Sequence, residues 1–474
     1  MGSNRTDRLI KNSVILSFGT LIPKVLTVLV LPLLTTFLTT SEYGNYDLVL
    51  SATSLIVPVA MMQIQQAAFR FLLATTETDE IQSYIATSLF FVLALSLVSS
   101  PITFVVGICI GLNYTISVVM CLLVLAESVY LLLGQVMRGI GKNACYSFGV
   151  IVYAIVNSVC LCIFIPIFNM GLFGVILSLV IAYVGSAIIM FVLVFREYRV
   201  KFSMIDKDVL KKMLAFSVPI VPSSISLWIV NLSDRFVIVY FLGTAANGIY
   251  SVANRIPALY TTAYNIFNLA WTETATQVAD EEKHPEVYYT ELFKKLYSFL
   301  VGVMVIIMAC SPLFYKIFIN EQYYESYYQT AILYFSVFFN SLVMFYAGIY
   351  IALKRTKQVG YSSAAGAIIN LVVNLLLVRH IGLYAASVST LVSYLTIVLY
   401  RYWDIKKYIS IKYDYKKILV GLLVMIVCSV LYYQRNYCCY AICILFAVLY
   451  NWFENKYMIR YIFKKLKNRI SITS

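Results

Sequence analysis

Lys24, Asp47, Glu127, Asp234, Arg235 and Arg255 all lie inside apolar runs of this sequence. A charge at bilayer depth is costly, so such residues ordinarily face a polar cavity, a partner or an ion path. The cations Lys24, Arg235 and Arg255 suit an anionic ligand. The carboxylates Glu127, Asp234 and Asp47 suit a coupling ion, H⁺ or Na⁺. Lys24 sits near the middle of its run beside Pro23, which can kink the helix. It reads either as a cavity cation for an anionic substrate or as the structural partner of a buried acid. Glu127, between Ala126 and Ser128, is either a coupling site or that partner. Asp234 and Arg235 are adjacent, so they point to different faces of a helix, and at least one needs a partner elsewhere. Arg255 opens its run and is either an interfacial anchor or a member of a polar stripe.

No catalytic signature accompanies these charges. The two histidines, His284 and His380, fall near loops on opposite sides, so neither a metal cluster nor a nucleophile triad can be built. There is no phosphate-binding Gly-rich loop, and no cofactor is expected beyond H⁺ or Na⁺ coupling.

The elements that position the charges are long helices with polar stripes. Ser13, Ser17, Thr20, Lys24 and Thr27 step by 4, 3, 4 and 3, one helical face. Ser217, Ser224, Asn231 and Arg235 keep the same register, and Asn254, Thr261, Asn265, Asn268 and Thr272 form a further stripe. Gln63, Gln65, Gln66 and Arg70 make one end of the second run polar, as for a cavity mouth. The cavity set is thus Thr20, Thr27, Asn231, Asn254, Gln63 and Gln66 around the cations.

These runs occur twice. Shifted by 204 positions, Asn12 to Tyr46 lands without a gap on Phe216 to Tyr250, matching Phe37-Leu38 with Phe241-Leu242, Thr40 with Thr244 and Gly44 with Gly248. Further along, Ala154 to Asn157 resembles Ala367 to Asn370. Matching polar stripes in two copies predict a duplicated membrane bundle around a polar cavity.

Composition agrees. Of 474 residues 61% are hydrophobic and only 12% charged, against about 25% charged in soluble domains. Fourteen spans are expected, near 12–38, 46–69, 84–110, 116–136, 146–168, 172–195, 214–242, 247–270, 293–314, 328–351, 360–378, 383–400, 418–433 and 437–453. The net charge of +14 first suggests nucleic acid, but its distribution argues against that partner. With the N-terminus in the cytoplasm, 30 of the 36 Lys and Arg fall on the inner side. Only Lys316, Arg379 and Arg435 fall outside, and three lie within spans. Both termini are therefore expected to be cytoplasmic. The first span is too long for a cleaved signal peptide and carries Lys24 near its centre.

The predicted architecture is all-α and polytopic: two pseudo-symmetric six-helix bundles plus two C-terminal helices. Residues 1–195 form the first lobe, 196–213 a basic amphipathic linker on the inner leaflet, and 214–400 the second lobe. Residues 401–474 hold a basic loop, two further helices and a basic tail. Trp271 to Leu292 reads as a charged inner loop, and the ten cysteines read as packing residues.

Several short motifs in this order resemble the Wzx-type polysaccharide flippases. They are Leu214 to Pro222, Asp234-Arg235, Phe241 to Gly243 with Gly248 to Tyr250, Ala270-Trp271, Lys11 to Ser13 and Glu42 to Tyr46. That family belongs to a superfamily, the multidrug/oligosaccharidyl-lipid/polysaccharide exporters, which also holds MATE-type drug/cation antiporters and lipid II flippases. The resemblance implies a MATE-like fold in a bacterial plasma membrane and alternating access to a central cavity. It also implies an oligosaccharide substrate on polyprenyl pyrophosphate, handed to O-antigen or capsule assembly with its polymerase and chain-length machinery. The family's cations in the first and eighth helices correspond to Lys24 and Arg255 by location. The alternatives are a drug/cation antiporter on the same fold, which is expected to have an acidic cavity, and a membrane polymerase or ligase, which is expected to have a large outer loop. A scaffold for glycosyltransferases would leave the polar stripes unexplained.

Overall fold

A computed structural model of the chain describes residues 22–198, 200–456 and 460, and among these the regular structure is entirely helical. The first helices are α1 Ile22–Phe37, α2 Thr40–Ala60, α3 Ile64–Ala74, α4 Thr78–Cys109, α5 Tyr114–Gly139, α6 Asn143–Phe164 and α7 Gly171–Glu197. Then come α8 Lys207–Ser217, α9 Val221–Leu242, α10 Thr244–Ala253, α11 Arg255–Glu281, α12 Pro285–Phe318 and α13 Ser326–Ala352. The last four are α14 Thr356–Ile381, α15 Tyr384–Ile405, α16 Tyr415–Tyr433 and α17 Tyr437–Glu454.

Local chemistry sets the ends. Thr39 and Glu42 form a reciprocal capping box at α2. Asn113, Asp206, Asp414 and Asn436 cap α5, α8, α16 and α17 with side-chain oxygens. Gly243, at φ 86°, stops α9 and lets α10 start at once.

Among the described residues nine helices are long and apolar enough to cross a membrane: α4 to α7, α12 to α14, α16 and α17. Helices α2 and α3, bent by 54° at a short break, count as a tenth when the pair is taken as one span. The expected span 46–69 is therefore broken in its middle. Pro58 weakens the end of α2, and Met62 and Gln63 adopt left-handed φ of 47° and 55°. Of the other expected spans, 12–38 falls on α1 from residue 22 on, its first ten residues lying outside the described residues, while 214–242, 247–270 and 383–400 fall on α9, α10 with α11, and α15, which are broken or interrupted by charge. The stretch Trp271 to Leu292, expected as a loop, is instead the end of α11 and the start of α12, with only 282–284 between them. Trp271 is buried there, stacked on Phe345 at 4.8 Å and donating to its carbonyl. An aromatic so placed makes the segment part of the packed bundle.

The chain divides into two compact units, the second beginning at Val252. In the first, α5 packs against α3, α4 and α7, and α6 against α7. Helix α8 leans on α3 and α4, burying Met213 while Lys207, Lys211 and Lys212 stay exposed. The unit extends past the linker because α9 packs on α2. In the second unit the pattern recurs: α13 packs on α11 and α15, and α14 on α15. The duplication reaches single bonds. Asn157 of α6 accepts from Ser178 of α7 at 3.0 Å, and its counterpart Asn370 of α14 donates to Thr390 of α15 at 3.2 Å. Ser186 donates to the Gly149 carbonyl as Ser393 does to that of Gly366, both at 2.7 Å. Such polar bonds and small-residue contacts hold helices together where burial in lipid supplies little driving force. Helices α16 and α17 pack on α12. All ten cysteines are free thiols.

Candidate functional site

The polar centre of the first unit lies where α2 crosses α9 and α10. The crossing is set by two glycines. A Cβ on Gly44 would overlap the Thr244 carbonyl, and a Cβ on Gly248 would overlap the Thr40 carbonyl. The two contacts are reciprocal because the residues are the same turn in the two sequence copies. Ser41 and Thr244 hydroxyls bond at 2.7 Å, and Asn247 donates to the Gly44 carbonyl at 2.9 Å. Gly44→Ala is expected to destabilise the protein by about 1–3 kcal/mol through this overlap. Gly185→Ala, with open space around it, should be neutral or slightly stabilising. Thermal unfolding of the two variants in detergent makes the comparison; equal midpoints would remove the close crossing.

One turn further in, the crossing holds charge. Arg235 of α9 donates through Nε to Asp47 Oδ2 at 2.9 Å and through a terminal nitrogen to Asp234 Oδ1 at 3.1 Å. Asp47 Oδ1 accepts from Ser251 at 2.6 Å, and Asp234 Oδ2 accepts from Tyr250 at 2.5 Å. The Tyr250 ring stands 6.0 Å from the guanidinium. Both aspartates are 7% exposed, so the cluster is largely withdrawn from solvent. Two carboxylates share one guanidinium, leaving one formal negative charge held by hydroxyl and amide donors.

This corrects one expectation. Asp234 and Arg235 do satisfy each other in part, because the long Arg235 side chain folds back to its neighbour while reaching Asp47 with Nε. The partner expected elsewhere is Asp47. Arg235 is thus a paired cation, and Asp47 and Asp234 are paired anions.

The remaining candidates are dispersed. Thr20 lies outside the described residues. Lys24 is exposed on α1, and Thr27 bonds the Pro23 carbonyl at 2.8 Å. Asn231 is exposed, its carbonyl accepting from Arg235 at 3.2 Å. Gln63 and Gln65 are buried, bonded to Ser224 and to each other, while Gln66 is exposed. Asn254 and Arg255, both half-buried, sit at the break between α10 and α11 in the second unit.

Glu127 is half-buried on α5. Among the described residues no cation pairs with it, and Lys24 is not its partner. Its neighbours are the phenols of Tyr130, Tyr153 and Tyr183, which interact with it electrostatically. Their rings cluster at 4.5–5.5 Å. Tyr153 also lines a cavity of about 110 Å³ with Thr27, Tyr46, Asn157 and Ser158. Among the described residues no cluster of His, Cys, Asp and Glu could hold a metal.

Sequence reasoning missed Tyr250, Ser251 and Asn247 as parts of the cluster. The signal was present: Ser251 lies 204 positions from Asp47, the repeat offset itself.

Comparison with known proteins follows the same lines. The chain superposes on the lipid II flippase MurJ in its inward closed conformation with a TM-score of 0.70 and 16% identity, covering 96% of this chain and 100% of that one. An inward-facing multidrug resistance MATE family transporter of the MOP superfamily gives 0.68 and 14%, covering 83% and 98%. A MOP superfamily transporter from Pyrococcus furiosus, described as having a binding pocket of reversed polarity, gives 0.56 and 14%, covering 84% and 95%. No curated protein matches in sequence. These likenesses establish the fold expected for a polytopic MATE-like protein. The model of the polysaccharide biosynthesis protein family matches residues 9–272, more than half of the 474, and bears out the resemblance to Wzx-type flippases read from the motifs: the chain belongs to that family.

Proposed function

We propose that this protein is a flippase moving polyprenyl-pyrophosphate-linked oligosaccharide repeat units from the cytoplasmic to the outer leaflet of a bacterial plasma membrane. The product would feed O-antigen, capsule or exopolysaccharide assembly, together with a polymerase and chain-length machinery. Family membership gives the polysaccharide setting. The observation that carries the mechanism is the Asp47–Arg235–Asp234 cluster at the crossing of the two sequence copies. A buried ion set with an odd charge is an element that two states can bias: closed while Arg235 bridges both acids, open when one acid takes a cation or a proton. The positive-inside asymmetry of the sequence supports an orientation with this crossing on the outer side and both termini in the cytoplasm, in which the cluster acts as an outer latch. Lys24 and Arg255 attract the pyrophosphate, while Asp47, Asp234 and Glu127 are the coupling candidates. The polar candidates for the sugars are Thr20, Thr27, Asn231, Asn254, Gln63 and Gln66.

A drug/cation antiporter is the second reading, favoured by a Glu127 without a cation partner. Liposomes separate the two. Purified protein is reconstituted with polyprenyl-pyrophosphate oligosaccharide, and a sugar-modifying enzyme added outside reports the lipid reaching the outer leaflet. Wild type is expected to equilibrate the lipid quickly. Lys24→Ala should slow it roughly thirtyfold, the value of one lost charge-assisted contact of about 2 kcal/mol. Transfer no faster than in empty liposomes, with an ion gradient imposed, would favour the antiporter.

A further inference from the structure

The second unit carries a groove of about 580 Å³ between the C-terminal end of α12, the turn leading into α13, and α17. Tyr324, Tyr327, Tyr437 and Tyr440 wall it, with Lys316 and Arg435 among its lining. Neither cation meets a carboxylate among the described residues. Arg435 is held in place with care. It occupies the turn between α16 and α17 at a left-handed φ of 51°, a conformation that costs a non-glycine residue about 1 kcal/mol or more. Its guanidinium lies 4.9–5.6 Å over the rings of Tyr324, Tyr327 and Tyr328 and donates to the Tyr328 hydroxyl at 3.2 Å.

The tyrosines are themselves fixed. Tyr327 and Tyr432 stack at 3.9 Å, each hydroxyl donating to the other's carbonyl at 2.9 and 3.1 Å. Tyr433 repeats the bond to the Tyr328 carbonyl at 2.8 Å. A cation so prepositioned loses little entropy on binding an anion. Below it the groove is apolar. Ala309 and Ile444 also line a second groove along the α12–α17 seam, bounded by Ile306, Ala447, Val448 and Trp452. Because α12, α16 and α17 span the membrane, the cations sit at the level of headgroups and the seam at the level of acyl chains.

We propose that this groove holds an anionic glycerophospholipid, with its phosphate between Lys316 and Arg435 and one acyl chain along the α12–α17 seam. A zwitterionic lipid brings an ammonium that the two cations repel, so the site selects net negative charge. None of the residues assigned to transport lines it, which argues for a resident lipid over the pyrophosphate substrate. The inference rests on the proposed orientation only for the leaflet, the outer one.

Native mass spectrometry of the full chain in mild detergent tests it, with phosphatidylglycerol, phosphatidylcholine and polyprenyl pyrophosphate titrated separately and in competition. Wild type is expected to bind phosphatidylglycerol roughly thirtyfold more tightly than phosphatidylcholine, the effect of two interfacial cations. The double variant Lys316→Gln, Arg435→Gln should lose that preference. Lys316→Gln alone, a change on an exposed helix surface, should lose part of it even if the turn variant fails to fold. Lys283→Gln, exposed between α11 and α12, should keep it. Equal binding of the two phospholipids by wild type, or full preference in both Lys316→Gln and the double variant, would overturn the proposal. So would displacement of phosphatidylglycerol by polyprenyl pyrophosphate, which assigns the groove to substrate. Transport plays no part in this readout, so failure of the flippase reading shows only in the liposome assay.

Discussion

Arg235→Met is expected to destabilise the protein by about 3–5 kcal/mol, because it leaves Asp47 and Asp234 buried without the guanidinium they share. Thermal unfolding in detergent reads the loss. Adding Asp47→Asn and Asp234→Asn to Arg235→Met removes the uncompensated charge while keeping side-chain volume. The triple variant should therefore recover most of the stability. It should nevertheless flip lipid slowly, since no ion set remains for a coupling cation to open. An Arg235→Met protein that melts with wild type would mean that solvent reaches the cluster and that the latch is not closed by charge. The size of the expected effect follows from the geometry: the bonds to Asp47 and Asp234 are short, and Ser251 and Tyr250 occupy the outer carboxylate oxygens.

The second large effect is expected at Arg401, in the other unit. Its side chain is 1% exposed and meets no carboxylate among the described residues. Instead it donates to the Val343 carbonyl of α13 at 2.6 Å, and to Ser362, Ser363 and the Val359 carbonyl of α14. From its place on α15 it thus ties three helices together. Arg401→Met removes four charge-assisted bonds and is expected to cost about 3 kcal/mol or more. Arg401→Lys should recover only part of this. An ammonium is a point donor and cannot span the separated acceptors that the planar fork reaches. Unfolding midpoints rank the three proteins. A lysine variant as stable as wild type would show that charge alone, and not the fork, holds the helices.

These two residues also show what a reader of the sequence can and cannot see. The duplication is written in the 204-residue offset, and the Asn157 and Asn370 bonds follow from it. Arg401 looks like one more inner-loop cation, because nothing local distinguishes a helix end that stays in the bundle from one that leaves it. The break at Met62 and Gln63 has only Pro58 as a local sign; two non-glycine residues in left-handed geometry are held by tertiary contacts, including the bond from Gln63 to Ser224. The charge of Trp271 to Leu292 suggests a loop, yet the segment is helical and Trp271 seats on Phe345. The candidate cations were legible as costly residues, but their pairing was not. That Arg235 bridges Asp47 depends on how closely two glycines let α2 approach α10.

That approach has a consequence for the origin of the fold. Gly44 and Gly248 meet as equivalents, Gly44 against the Thr244 carbonyl and Gly248 against the Thr40 carbonyl. In an unfused ancestor of one repeat, the same contact would be an isologous interface, a glycine meeting its own copy across a two-fold axis along the membrane normal. An aspartate at position 47 would then face its own image as a like charge beside the axis. Here the image is Ser251, and the repulsion has become a hydrogen bond of 2.6 Å. Two separate copies of the repeat can differ at one position, which a single self-pairing sequence cannot.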